Sequence, residues 1–398
     1  MKNKDIIVVG LQPYDSLIGS NCINIADEFA KNNRVLYVNY AFDRSSLKRE
    51  KNLPNVKKRI NIMKNGEDNL VQIHNNLFTL YPNTILESIN WIPFTFLFRL
   101  INFINNKRFA TEIKKAIKRL EMKDYVLFND SDMFRSYYLK QLLKPKVSIY
   151  YTRDNMMSVP YWRKHGAQLE PEIMANSDLV CANSTYLRDV AAKDNPNSFY
   201  VGQGCDVSAF NPAQAFSIPE DIAQIAKPII GYIGALYTLR LDIEIIEIIA
   251  KHNANWSVVL IGPEDEGFKN SILHKLPNVY FLGLKNGDQL PAYLSTFDVA
   301  INPQVLNEVT IGNYPRKIDE YLAMGKITIA TKTKAMSIFE NYTYLAEHKN
   351  EYPQLIEKAL AENTAQLVQD RIAFAQSHTW ENSVQEIYKA IQLTHPNF

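Results

Sequence analysis

Two α/β domains, each wound around a mostly parallel sheet, are the architecture this sequence predicts, and three observations carry that prediction. At 398 residues the chain is longer than one hydrophobic core usually serves. Short β-branched runs alternate with amphipathic segments through both halves, the rhythm of a doubly wound fold. Glycines close several of those runs, where folds of this kind bring backbone close to a ligand.

Composition sets the class. Hydrophobic residues make up 46% and charged residues 22%, which is ordinary for a packed globular protein and excludes a disordered chain. Cys22, Cys181 and Cys205 are too few and too widely spaced for a disulfide framework or a paired metal site, so a reducing cytoplasm is expected. Met1 to Asp5 is followed by Ile6 to Leu11, an apolar run interrupted by Gly10, which reads as a first strand rather than a signal peptide. The net charge of +2 hides an asymmetry: residues 1–200 hold 29 Lys and Arg against 20 Asp and Glu, and the remainder 15 against 22. One basic half implies an acidic partner for it, whether a membrane surface, an anionic substrate or the other domain. Nucleic acid is not expected, because the basic residues follow no recognisable binding motif.

In the N-terminal half, strands are predicted at Ile6–Val9, Val35–Asn39, Tyr125–Phe128, Val147–Tyr151, Leu179–Ala182 and Phe199–Val201. The loop 12–21 after the first strand carries Gly19 just before a helix predicted near Ile23, so it either approaches a ligand through its backbone N–H groups or simply caps that helix. Residues 85–120 break the rhythm: an aromatic-rich run from Ile85 to Ile104 is followed by Lys107, Arg108, Lys114, Lys115, Lys118 and Arg119. Arg99 and the asparagines keep the run short of the ~20 apolar residues that span a bilayer. Two readings stand: an interfacial helix on anionic lipid, or a core helix followed by a solvated one. Asp154 follows the strand Val147–Tyr151, at the end where such sheets place their ligands, and a carboxylate there is positioned to take a proton. Arg163, eight positions on from Asn155, lies in a loop suited to contact a second substrate; alternatively Asp154 forms a structural salt bridge with Arg153 or Arg163.

In the C-terminal half, strands are predicted from Ile229 to Gly234, at Ser257–Gly262, Val279–Gly283 and Phe297–Asn302, with helices near Asp242 and Leu290. Gly234, Gly262 and Gly283 follow or end three of these strands, and Arg240 lies beyond the first. The stretch from Asn307 to Thr331 then organises the whole half. A polar loop with Tyr314 enters a helix at Pro315, Gly325 closes it, and a β-branched strand follows. Arg316 and Lys317 sit in its first turn, where cations oppose the helix dipole and so do nothing for local stability. With the free N–H groups of the turn they make a site for an anion, a phosphate above all. Glu320, one turn on, is placed to accept hydrogen bonds from ribose hydroxyls.

The run Pro315, Lys317, Glu320, Tyr321, Leu322, Ala323 and Gly325 resembles the donor-sugar motif of GT-B glycosyltransferases, in particular family 4-like bacterial enzymes of exopolysaccharide and teichuronic acid synthesis. The resemblance implies two Rossmann-like doubly wound domains facing across a cleft: 1–205 for the acceptor, a linker over 206–227, 228–378 for the nucleotide sugar, and 379–398 as a final helix crossing back. It implies donor contacts from Gly234, Arg240, Gly262, Gly283, Tyr314, Arg316, Lys317 and Glu320, acceptor or cleft contacts from Gly19 and Arg163, and Asp154 as catalytic base. No metal and no cofactor are expected, the nucleotide diphosphate sugar being a substrate. Asp130-Ser131-Asp132 superficially matches the metal motif of the GT-A class, but the nucleotide half is the C-terminal one, and helix capping accounts for Asp130 or Asp132. Many retaining relatives carry a second glutamate where this chain has Gly312, which leaves the stereochemical outcome open. The expected partners are the donor, a glycan or lipid-linked acceptor, and anionic lipid at the inner membrane face. A nucleotide-sugar 2-epimerase of the same fold and a non-catalytic scaffold are the alternatives.

Overall fold

The structure, a computed structural model, describes residues 1–16 and 20–398. It divides into two compact units, residues 1–202 with 383–398, and residues 203–382. The expectation for Gly19 falls outside the described residues.

The first unit is built on β1 (Asp5–Gly10), β2 (Arg34–Val38), β3 (Leu70–His74), β4 (Leu77–Leu80), β5 (Val126–Asp130), β6 (Val147–Thr152), β7 (Leu179–Ala182) and β8 (Ser198–Tyr200). They lie in the order β3-β4-β2-β1-β5-β6-β7-β8, all parallel except β3 against β4. Parallel strands covered on both faces read as continuous apolar runs. Alternate residues show the two covers. Ile7, Val9 and Leu127 pack with Phe109, Ala110 and Ile113 of the long helix Thr95–Arg119. Phe128 meets Phe29 of the helix Asn21–Ala30, edge to face at 5.5 Å. The chain returns to this unit at Ser383, and Phe29 there stacks on Tyr388, whose hydroxyl accepts from Asn33 Nδ2 at 2.9 Å.

The second unit holds β9 (Ile229–Ile233), β10 (Ser257–Ile261), β11 (Val279–Gly283), β12 (Val299–Asn302), β13 (Ile327–Thr331) and β14 (Tyr344–Ala346), in the order β11-β10-β9-β12-β13-β14 and parallel throughout. Ile230, Val258, Val299 and Ile329 face the helices Ile243–His252 and Tyr352–Glu362. Ile229, Val259, Ala300 and Ala330 face Tyr293, Leu294, Ile318 and Leu322. Reversal of the connection between β9 and its neighbours β10 and β12 creates a switch point, and in such sheets the ligand lies beyond the carboxyl ends of the strands there. Asp242 caps the helix after β9, its side chain accepting from Glu244 N–H at 2.9 Å.

Candidate functional site

Beyond the carboxyl ends of β9 and β10, two glycine turns lie against one another. Gly234 has φ +146° and Gly262 φ +150°, and a Cβ at Gly262 would stand 1.9 Å from the Gly234 carbonyl oxygen. No L side chain fits there, so the turns demand glycine for conformation and for space. A Cβ at Gly234 would stand 2.6 Å from Lys317 Nζ. The amine reaches that turn from the first turn of the helix Arg316–Ala323, donating to the Tyr232 hydroxyl at 2.6 Å with the ring centroid 4.3 Å away.

The N-cap residue of this helix, Pro315, has no side-chain capping bond to offer. The first-turn N–H groups and the helix dipole therefore present positive potential. Arg316 adds to it with a buried Nε–H that has no partner among the described residues, an unusual state for a guanidinium donor. Glu320 is half-buried; desolvation raises its carboxyl pKa, against the pull of Arg316 and Lys317. The site thus combines two cations, one carboxylate and two closely apposed backbone turns.

The floor beneath is rigid. Asp319, fully buried, accepts from Tyr314 Oη at 2.9 Å and pairs with His378 Nδ1 at 2.7 Å. Burial raises the Asp319 carboxyl pKa, with His378, Tyr314 and Arg316 opposing. Tyr314, expected among the donor contacts, is packed into this floor. It is 6% exposed in the apolar cluster of Ile318 and Phe339, and its hydroxyl is held by Asp319 and His378. Behind the helix, Gly325 takes φ +65° and Arg371 Nε donates to its carbonyl at 3.1 Å. On the flank, the loop 305–313 is tied to the loop 237–241: Val305 N–H donates to the Arg240 carbonyl at 3.0 Å, and Asn307 Nδ2 to the Leu239 carbonyl at 2.8 Å. Arg240 itself is exposed. Gly283 ends β11 with φ +69°, and a Cβ added there would meet nothing within 4 Å.

The first unit holds the remaining expected residues. Asp154, two positions past β6, has a side chain 46% exposed and an ion pair to Arg153 Nη1 at 3.3 Å. Arg153 is shared: its Nε donates at 2.9 Å to Asp130, a fully buried carboxylate at the end of β5. Asp130 and Asp154 together raise the guanidinium's pKa above its usual value, burial opposing them. Asp132 does cap its turn, accepting from Phe134 and Arg135 N–H groups at 3.2 and 3.0 Å, whereas Asp130 caps nothing and pairs with Arg153. Arg163, expected in a loop, lies instead in the first turn of the helix Pro160–Asn176, which Pro160 opens; it is exposed and donates through Nε to the Met157 carbonyl. Tyr232 and the Asp130–Arg153 pair were not anticipated from sequence. Tyr232 sits inside an apolar strand and looks like core; the pair joins residues 23 apart, one ending β5 and the other just past β6.

Comparison with known proteins adds three findings. Residues 227–370 match the family described as Glycosyl transferases group 1. A Bacillus subtilis (strain 168) protein named as a teichuronic acid biosynthesis glycosyltransferase, TuaH, is 25% identical over 251 residues. That match covers 60% of this chain and 62% of the relative, less than two thirds of its length. Among solved structures, sucrose-phosphate synthase from Thermosynechococcus elongatus matches with a TM-score of 0.63 at 15% identity over all of both chains. Anabaena HepE in complex with UDP matches with a TM-score of 0.65, also at 15%, over 98% of this chain and 100% of that one. A trehalose-6-phosphate structure from E. coli bound with UDP-2-fluoro glucose gives a TM-score of 0.65 at 10% identity, over 98% and 99%. Likeness at such identities establishes the fold.

Proposed function

From a chain with the GT-B fold, whose residues 227–370 form a glycosyl transferases group 1 domain, we propose that it moves a sugar from a nucleotide diphosphate sugar to a glycan or lipid-linked acceptor in bacterial surface polysaccharide synthesis. The observation that carries this reading is Lys317 Nζ at the Gly234 turn, with the unpartnered Arg316 Nε–H next to it in the same first helical turn. A diphosphate supplies the charge and the acceptors these donors lack. The names of two solved relatives record UDP or a UDP-sugar analogue, which supports the same donor class. A cytoplasmic location belongs to the proposal and fits three free thiols.

The roles follow from charge. The diphosphate lies along the Gly234 and Gly262 turns with its oxygens on Arg316, Lys317 and the first-turn N–H groups. Glu320 accepts from the ribose hydroxyls. The bond from the anomeric carbon to the β-phosphate oxygen breaks, the nucleoside diphosphate leaves with the electron pair, and the cations meet the charge as it develops. The acceptor oxygen bonds to that carbon while its proton passes to Asp154. Without its base, transfer slows by roughly 10²- to 10⁴-fold.

A transfer assay with purified Asp154→Asn tests this. The expected result is turnover lost by that factor with donor affinity unchanged; unaltered turnover removes Asp154 from the reaction. Incubation with donor alone is the control, because an epimerised nucleotide sugar appearing without acceptor would replace the transferase reading.

A further inference from the structure

The long helix Thr95–Arg119 leaves one face outside the core of the first unit, and that face changes character along its length. Phe96, Leu97, Leu100, Phe103 and Ile104 are all exposed, at 40% to 64%, and fall on one side of the helix at three- and four-residue spacing. Trp91, just before the helix, is 74% exposed with its indole N–H bonded to the Ser88 carbonyl at 2.8 Å. Continuing along the same side come Lys107, Thr111, Lys114 and Lys118, all exposed. The helix of 25 residues is about 37 Å long, half apolar and half basic.

Most acidic groups beside this face are already neutralised, Glu121 just past the helix end being the exposed exception. Glu87 pairs with Arg44 and Arg108, Glu112 with Lys115, Glu172 with Arg99 and Asp68 with Arg119. Lys107, Lys114 and Lys118 have no ion pair among the described residues, so the uncompensated charge is positive. No helix among the described residues is long and apolar enough to cross a membrane, which limits this one to lying on a surface.

We propose that this face docks the protein on an anionic lipid surface, the aromatic and leucine half entering the acyl boundary and the lysine half resting on the headgroups. Charge selects lipid over a second copy of the chain. Two such helices paired along their length in parallel set lysine against lysine; paired antiparallel they bury lysine against phenylalanine. A bilayer interface offers apolar depth and negative charge side by side, which matches a helix whose polarity changes along its axis. The proposal deepens the proposed function, resting on it only where a lipid-linked acceptor would share that surface; vesicle binding itself requires no turnover.

Flotation of the full chain with vesicles of phosphatidylcholine alone, or of equal parts phosphatidylcholine and phosphatidylglycerol, is the test. Wild type floats with the anionic vesicles at least tenfold better than with the neutral ones, and added salt weakens that preference. Leu100→Glu with Phe103→Glu abolishes binding to both. Lys107→Gln with Lys114→Gln and Lys118→Gln loses the anionic preference, at roughly fivefold per residue removed. Both variants change exposed residues of the first unit; an unaltered urea midpoint for that unit verifies their folding, and unaltered nucleotide titration separates this inference from the donor reading. Wild type that ignores both vesicle types, or flotation untouched by the glutamate pair, overturns the proposal. So does light scattering that shows a dimer dispersed by Phe103→Glu.

Discussion

Arg153 shows how one side chain divides structural from chemical duty. Its guanidinium is nearly buried, bonded to Asp130 inside the sheet and to Asp154 at the surface. Removing the buried partner strands a desolvated charge, whereas removing the exposed one leaves the main pair intact. Asp130→Asn should therefore cost about 3–5 kcal/mol, seen as a lower urea midpoint for the first unit. Asp154→Asn should leave that midpoint within about 0.5 kcal/mol of wild type. Equal losses in both would mean that the two carboxylates share the guanidinium evenly. Gly262 makes the same point for the backbone. The 1.9 Å approach of its missing Cβ to Gly234 is readable only from coordinates, although both glycines stand out in sequence at strand ends.

Among the elements, the helix Pro160–Asn176 buries a carboxyl against a strand. Glu170 accepts from the β6 tyrosine Tyr150 at 2.9 Å, and burial, with the Asp194 carboxylate adding, raises its pKa from 4.5 to about 7. The folded chain thus holds this proton more tightly than the unfolded one. Stability from it is complete below about pH 4.5 and falls as pH rises through about 7, by about 3 kcal/mol in all. Urea midpoints between pH 4.5 and 8 should show that decline, and Glu170→Gln should flatten it; an unchanged slope would place the titration elsewhere. Most strands were legible because burial on both faces leaves uninterrupted β-branched runs: Leu179–Ala182 and Val279–Gly283 match their predicted bounds, and others shift by one or two residues. The hairpin β3–β4 was missed because β3 is an edge strand with Val71 to His74 exposed, so no apolar run marks it. The strand β14 is a three-residue edge strand without a β-branched residue, so no run marks it. The helix Arg316–Ala323 was legible for a different reason, since Pro315 marks its entry and Gly325 its end. Its support, Asp319 with Tyr314 and His378, was not, because His378 is 59 residues from Asp319 and only folding joins them.

At the scale of the whole molecule, the chain visits the second unit and returns. Residues 383–398 belong to the first unit, where Val384, Ile387, Tyr388 and Ile391 are buried and Ser383 Oγ donates to the Val201 carbonyl at 3.0 Å. Burying four such side chains contributes roughly 6 kcal/mol or more, a large part of a domain's net stability. Truncation after Asn382 should unfold residues 1–202, read as loss of amide protection in β1 and β5, while residues 203–382 still bind nucleotide. Retained protection in β1 would show that the terminal segment adds little.

The central claim is that Arg316, Lys317 and the glycine turns form a nucleoside diphosphate site within the second unit. Calorimetric titration with UDP, GDP and their sugar conjugates, with and without magnesium, tests it most directly when wild type is run beside Arg316→Ala and Lys317→Ala. The account predicts selective binding of one nucleotide class and a loss of about 10- to 100-fold in each variant, the worth of a charge-assisted hydrogen bond. Absence of binding by wild type to any of these nucleotides, or affinity unchanged in both variants, would contradict it.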